Sequence, residues 1–149
     1  MNDDSEPSLT KYVVQFAGGF ILLATVGAVV SSLFNLSASS AVGIGVLIGA
    51  TGYPVLNFVK TEQRLMEPNE RARFALWATL VNMLVVVLLV LGVCALYQVN
   101  PMYLMSASGV SLGVALFSAI FALVLTWVIV YSATGMFGKA GVKQLERVK

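Results

Sequence analysis

Two long stretches of this chain carry no charged residue. The first runs from 12 to 59 and the second from 74 to 138, and most positions in both are aliphatic or aromatic. About 20 consecutive apolar residues are needed for a helix to cross the roughly 30 Å hydrocarbon core of a bilayer. Each stretch is therefore long enough for two crossings joined by a turn. The pattern predicts an all-α integral membrane protein with four transmembrane helices in two hairpins.

Each charge-free stretch is interrupted once by a polar segment that contains Ser-Ala-Ser. A serine just before a helix can accept a hydrogen bond from an unpaired amide of the first turn. We therefore expect Ser37 to Ser40 to cap the second helix and Ser106 to Ser108 to cap the fourth. The predicted helices are about 12–33, 41–59, 74–97 and 109–131, with an N-terminal segment 1–11, a central loop 60–73 and a basic tail 132–149.

The distribution of basic residues predicts the orientation of these helices. Hydrophobic residues make up 58% of the chain and charged residues only 11%. Lysine and arginine concentrate in the central loop and the tail, and the two serine turns contain none. Because cytoplasmic loops carry the Lys/Arg excess, the N-terminus, the central loop and the C-terminus are all predicted to be cytoplasmic.

Small residues recur at a spacing of four after each serine turn. Gly45 and Gly49 lie in the second predicted helix, and Gly109 and Gly113 in the fourth. Such spacing lets two helix axes approach closely, which matters in lipid because lipid is as apolar as leucine. Two interpretations stay open: the stripes hold the bundle together, or they recognise another membrane protein. Further small candidates in the fourth helix are Ala119 and Ala122.

Two other sites in the predicted helices could have a role. Asn82 is the most interior amide, and it is expected either to hydrogen-bond to another helix or to contact a substrate or partner. Pro54 removes one backbone hydrogen bond near the end of the second helix, and Gly52 lies beside it. Gly52 and Pro54 therefore predict a kink that could act as a hinge.

The predicted tail could lie on the membrane surface. Lys139, Lys143 and Arg147 fall on one side of a short helix, where they would contact anionic lipid at about 1 kcal/mol per basic residue. Gly138 and Gly141 weaken any helix here, so a disordered tail is the alternative.

The residues that the chain lacks limit its chemistry. It contains no histidine and one cysteine, Cys94, so the usual ligands of haem and metal sites are missing. None of the four predicted helices contains Asp, Glu, Lys or Arg, so proton-coupled transport would have no intramembrane relay. We expect no enzyme activity, no cofactor and no nucleic-acid partner.

The central loop carries a resemblance to a known group of proteins. Pro68 suits the first turn of a helix, and Glu70 complements the positive end of that helix, so the third helix is expected to begin before the membrane. An exit through Phe58-Val-Lys60, a loop with Arg64, Pro68 and Glu70, and then Phe74-Ala-Leu-Trp77 resembles an uncharacterised family of small four-helix inner-membrane proteins of Proteobacteria. The resemblance covers about residues 12–96 and brings no functional residues with it.

The resemblance implies a location in the bacterial inner membrane and a role in immunity, since some proteins of this kind neutralise membrane-acting toxins. We expect a non-catalytic binding protein whose partners are the lipid bilayer and a membrane-inserting toxin or another membrane protein, by helix–helix contact. The alternatives are a small transporter or channel, a subunit of a larger membrane complex, or a homo-oligomer.

Overall fold

The computed structural model describes residues 9–33, 40–98, 100, 109 and 111–148, and the regular elements of those residues are all α-helices. Each helix is long and apolar enough to cross a membrane. The prediction of four helices with the length and composition of membrane spans is thereby confirmed. The helices are α1 (Leu9–Leu33), α2 (Ser40–Glu62), α3 (Pro68–Leu96) and α4 (Leu112–Val148).

The four helices pack in a ring in which α1 contacts α2 and α3, and α4 contacts the same two helices. A methyl group added at Gly19 would lie 3.8 Å from Ala50, and one at Gly27 would lie 3.6 Å from Val42, so α1 and α2 are antiparallel. The start of α1, the α2–α3 connection and the end of α4 share one end of the ring. We call it the basic end, and the other the apolar end.

The buried core lies in the half of the ring next to the basic end. Phe16, Phe58 and Phe74, from three different helices, are fully buried. Two edge-to-face ring pairs join these helices. Tyr12 packs against Phe58 with ring centroids 5.2 Å apart, and Phe16 against Phe74 with centroids 6.2 Å apart. Such pairs add to the stabilisation from buried area. Towards the apolar end, large aliphatic side chains of all four helices are instead exposed.

The connection between α2 and α3 is held by one ion pair. The Arg64 guanidinium donates two hydrogen bonds, of 2.7 and 2.8 Å, to the Glu70 carboxylate and lies 5.3 Å from the Phe58 ring. The same carboxylate accepts the Glu67 N–H at 2.8 Å, which satisfies an unpaired amide at the start of α3. The hydrogen bonds to Glu70 raise the pKa of Arg64. The helix starts at Pro68, as predicted.

The end of α4 differs from the prediction. The helix was expected to end at 131 and to be followed by a separate tail, whereas it continues without a break to Val148 and is 37 residues long. Gly138 and Gly141 do not break it. Their missing side chains leave room for Leu65 and Val59, at 3.1 Å from an added methyl group. This packing offsets the cost of about 1 kcal/mol that a glycine brings to a helix.

The start of α4 also differs. The helix begins at Leu112 rather than 109, and the Ser111 hydroxyl accepts the Val114 N–H at 3.4 Å, as a capping serine does. Gly109 precedes the helix with a φ of 65°, a left-handed conformation that favours glycine. The predicted caps at Ser37 to Ser39 and Ser106 to Ser108 lie outside the described residues.

Candidate functional site

The half of the bundle towards the apolar end contains an open cavity of about 690 Å³, which we call the central cavity. All four helices contribute to its wall. Among the described residues that line it, only Asn82 and Thr126 have polar side chains, and none is charged. The remainder are aliphatic, aromatic or glycine, for example Phe20, Val46 and Leu125. The cavity can therefore hold an uncharged, mainly apolar group.

A second cavity, of about 470 Å³, lies between α1 and α3. We call it the side cavity. Ala24 and Ala28 of α1 line both cavities, so the two adjoin. The other side-cavity residues include Val85 and Leu88, from the valine and leucine run of α3. Both cavities are therefore mainly apolar and share part of one wall.

Asn82 and Ala122 are the predicted candidates that line the central cavity. In the described part of the chain the Asn82 carboxamide makes no hydrogen bond, so the expected bond to another helix is not formed there. The bond between helices comes instead from Asn57, whose amide donates to the Gln15 side-chain oxygen at 3.1 Å. Asn82 is left with free hydrogen-bonding capacity beside an empty volume.

The glycines within each predicted stripe have different surroundings. A methyl group added at Gly45 or Gly113 would meet no atom within 4 Å, whereas one at Gly49 would lie 3.0 Å from Leu23 of α1. All three glycines are exposed, but only Gly49 borders a side chain of a neighbouring helix and so contributes to packing within the bundle. Gly109 lies ahead of α4, so it does not form a helical stripe with Gly113. Ala119 is half-buried.

Helices also pack closely at glycines near the basic end. The ring of Phe137, on α4, lies against Gly52, with three ring atoms 3.2 to 3.4 Å from an added methyl group. Pro54 is fully buried. A hinge at Gly52 and Pro54 stays a prediction, and any such motion would have to move Phe137 as well.

The three basic residues expected to contact lipid are exposed on the last turns of α4. Lys139, Lys143 and Arg147 point away from the bundle, while Gly138 and Gly141 face it. Because this segment is packed along α2, it is neither a free surface helix nor a separate tail. Contact of the three side chains with anionic lipid headgroups stays a prediction.

Sequence reasoning missed the pairing of Arg64 with Glu70 and the role of Thr126. The first had a visible signal, since both residues belong to the loop motif that carries the resemblance. Thr126 gives no signal, because a single threonine in an apolar helix does not show which side it faces. Its place on the wall of the central cavity depends on how α3 and α4 pack.

The chain matches no known protein-family model, and comparison with characterised proteins and with solved structures finds no similar protein. The resemblance to small proteobacterial inner-membrane proteins therefore stays a prediction. The class that the structure defines is an all-helical protein with four helices suited to cross a membrane.

Proposed function

We propose that this chain is a non-catalytic, multi-pass protein of the bacterial inner membrane that works by binding another membrane protein. Both termini lie in the cytoplasm. More specifically, the chain is an immunity protein that neutralises a membrane-inserting toxin. This part of the proposal is supported by the resemblance of the central loop. A subunit of a larger membrane complex, or a homo-oligomer, would use the same kind of contact.

One observation carries this proposal: the contrast among the glycines of the bundle. Gly52, Gly138 and Gly141, towards the basic end, are covered by side chains of neighbouring elements, as Gly52 is by Phe137, although Gly18 of α1 is open. Gly45 and Gly113 are exposed and have open space above them. Without a hydrophobic driving force in lipid, helices associate where small residues allow close approach. These two glycines therefore offer sites for the helix of a partner.

The sequence also supports binding over transport. The stretches 12–59 and 74–138 contain no ionisable acid or base apart from Cys94 and tyrosines. A small transporter or channel is the alternative, but one driven by protons would normally use a carboxylate or histidine inside the membrane.

The orientation can be tested with single cysteines in a Cys94→Ser background. Asn69, Gln98 and Ser111 are exposed, the first at the basic end and the other two at the apolar end. We expect cysteines at 98 and 111 to react in intact cells with a membrane-impermeant thiol reagent, and a cysteine at 69 to react only after the cells are opened. The reverse pattern would place the basic end outside and overturn the proposed topology.

The partner contact can be tested with bulky substitutions at the open glycines. Gly45→Leu and Gly113→Leu should leave the free protein folded, since nothing lies within 4 Å of the added Cβ. We expect either or both to reduce copurification of a partner from gently solubilised native membranes at least about tenfold, equivalent to about 1.4 kcal/mol. Protection against a cognate toxin should fall in parallel.

Gly49→Leu is the matched comparison on the same helix. Its added Cβ would lie 3.0 Å from Leu23, so it should lower the stability of the protein itself. If Gly45→Leu and Gly113→Leu both retain the partner at normal yield, these glycines are not the contact. Recognition would then have to involve the central loop or the serine turns.

A further inference from the structure

The Asn82 carboxamide faces an unusual environment once the bundle is placed in a bilayer, a placement that rests on the proposed membrane insertion. Arg73 is the last charged residue of α3 before the charge-free stretch. Asn82 is nine residues further along the helix, or about 13 Å at the rise of an α-helix. With Arg73 at the surface, this amide lies near the middle of the roughly 30 Å hydrocarbon layer. Phospholipid headgroups and esters lie at the surface and do not reach it.

An unpaired amide at that depth is costly. A polar group without a hydrogen bond in hydrocarbon costs several kcal/mol, so polar side chains of membrane helices usually pair with a neighbouring helix. Asn57 follows this rule through Gln15. Within the described residues, the Asn82 side chain forms no such hydrogen bond, and it borders the central cavity. A hydrocarbon chain would fill that volume but leave the amide unpaired.

We propose that the central cavity binds an uncharged, lipid-soluble molecule whose carbonyl oxygen accepts a hydrogen bond from Asn82. The volume of about 690 Å³ lies within the range of about 300–1,000 Å³ typical of small-molecule sites. Such sites combine a mainly apolar wall with a few polar groups that fix orientation. Asn82 supplies the donor, and Thr126 adds a hydroxyl from α4 on the same wall.

The lining also determines which ligands are excluded. No charged side chain borders the cavity, so an ionised ligand would lose its hydration without gaining a counter-charge. The ligand is therefore neutral. The side cavity adjoins the central cavity at Ala24 and Ala28 and is also mainly apolar. This site is separate from the proposed protein contact, because neither Gly45 nor Gly113 borders either cavity.

The test compares two probes that differ by one carbonyl oxygen, 2-acetonaphthone and 2-ethylnaphthalene. The full-length protein is reconstituted in phosphatidylcholine nanodiscs, and binding is measured as the probe retained above that of protein-free nanodiscs. The ketone should bind more tightly than the hydrocarbon. Asn82→Leu, which keeps a similar volume without the amide, should weaken ketone binding about tenfold and leave the hydrocarbon unchanged.

Ala122→Phe is the second variant, because it fills the cavity from α4 without touching the amide. It should weaken binding of both probes, and Ala140→Phe, at an exposed position of the same helix near the basic end, should weaken neither. Equal affinity of the wild-type protein for the two probes would overturn the proposal, as expected if water or lipid already satisfies the amide. The proposal would also be overturned if Asn82→Leu weakened the binding of both probes equally, or if Ala122→Phe bound the ketone as tightly as the wild type. Partner copurification through Gly45 and Gly113 is a separate measurement and would survive any of these failures.

Discussion

Gly52→Leu should remove most of the stability of the bundle. A methyl group at this position would already lie 3.2 to 3.4 Å from three atoms of the Phe137 ring, and leucine adds three more carbon atoms. Gly52 is itself buried, and Thr51 and Pro54 next to it are buried as well. Overpacking of a dense core typically costs about 1–3 kcal/mol and occasionally more, and we expect about 3 kcal/mol or above here.

The measurement is the free energy of unfolding in mixed detergent micelles, together with the yield of protein that survives extraction. Gly45→Leu is the control, because it makes the same chemical change on the same helix in open space. Leucine also has the higher helix propensity, so the control should be as stable as the wild type or slightly more stable. Equal stability of the two variants would contradict the packing of α2 against α4 described above.

Gly141→Leu should have a similar effect at the end of α4. An added Cβ would lie 3.1 Å and 3.2 Å from two atoms of Val59 and 3.3 Å from Leu56, so the last turns of the helix would have to separate from α2. We expect a loss of about 2–3 kcal/mol of unfolding free energy. If residues 132–149 were instead a free surface segment, the substitution would cost nothing.

The neighbouring residue provides the control for this experiment. Ala140 is exposed, so Ala140→Leu should change the unfolding free energy by no more than about 0.5 kcal/mol. Protease sensitivity of the C-terminus offers a second measurement. Cleavage after Lys143 or Arg147 should be faster in Gly141→Leu than in Ala140→Leu, since only the first variant releases the helix end. Equal cleavage rates would contradict this account.

The elements of this protein were visible in its sequence because charge is costly in hydrocarbon. The stretches 12–59 and 74–138 contain no charged residue, and each is long enough for two helices. Pro68 marked the start of the third helix. Local rules were also the source of error. Gly138 and Gly141 predicted a weak or absent helix, and α4 continues through both because their missing side chains accommodate Leu65 and Val59. That contact joins residues distant in sequence, which no local pattern reports.

The candidate site was harder to predict, because hydropathy does not distinguish a surface that faces lipid from one that faces another helix. Gly45 and Gly49 had the same predicted role, and only Gly49 meets a neighbouring side chain. Asn82 was singled out as the most interior amide, and its position on a cavity rather than against a partner helix depends on the packing of all four helices. The candidate residues could therefore be named from the sequence, but the side chains and cavities next to them could not.

The docking of the end of α4 against α2 has a consequence for how the protein is made. Gly138 and Gly141 are synthesised after Val59 and Leu65, yet they complete the packing around those two side chains. That packing is therefore completed only after α2, α3 and most of α4 have been synthesised. A chain that ends before Gly138 lacks both contacts and leaves Val59 and Leu65 without cover from α4.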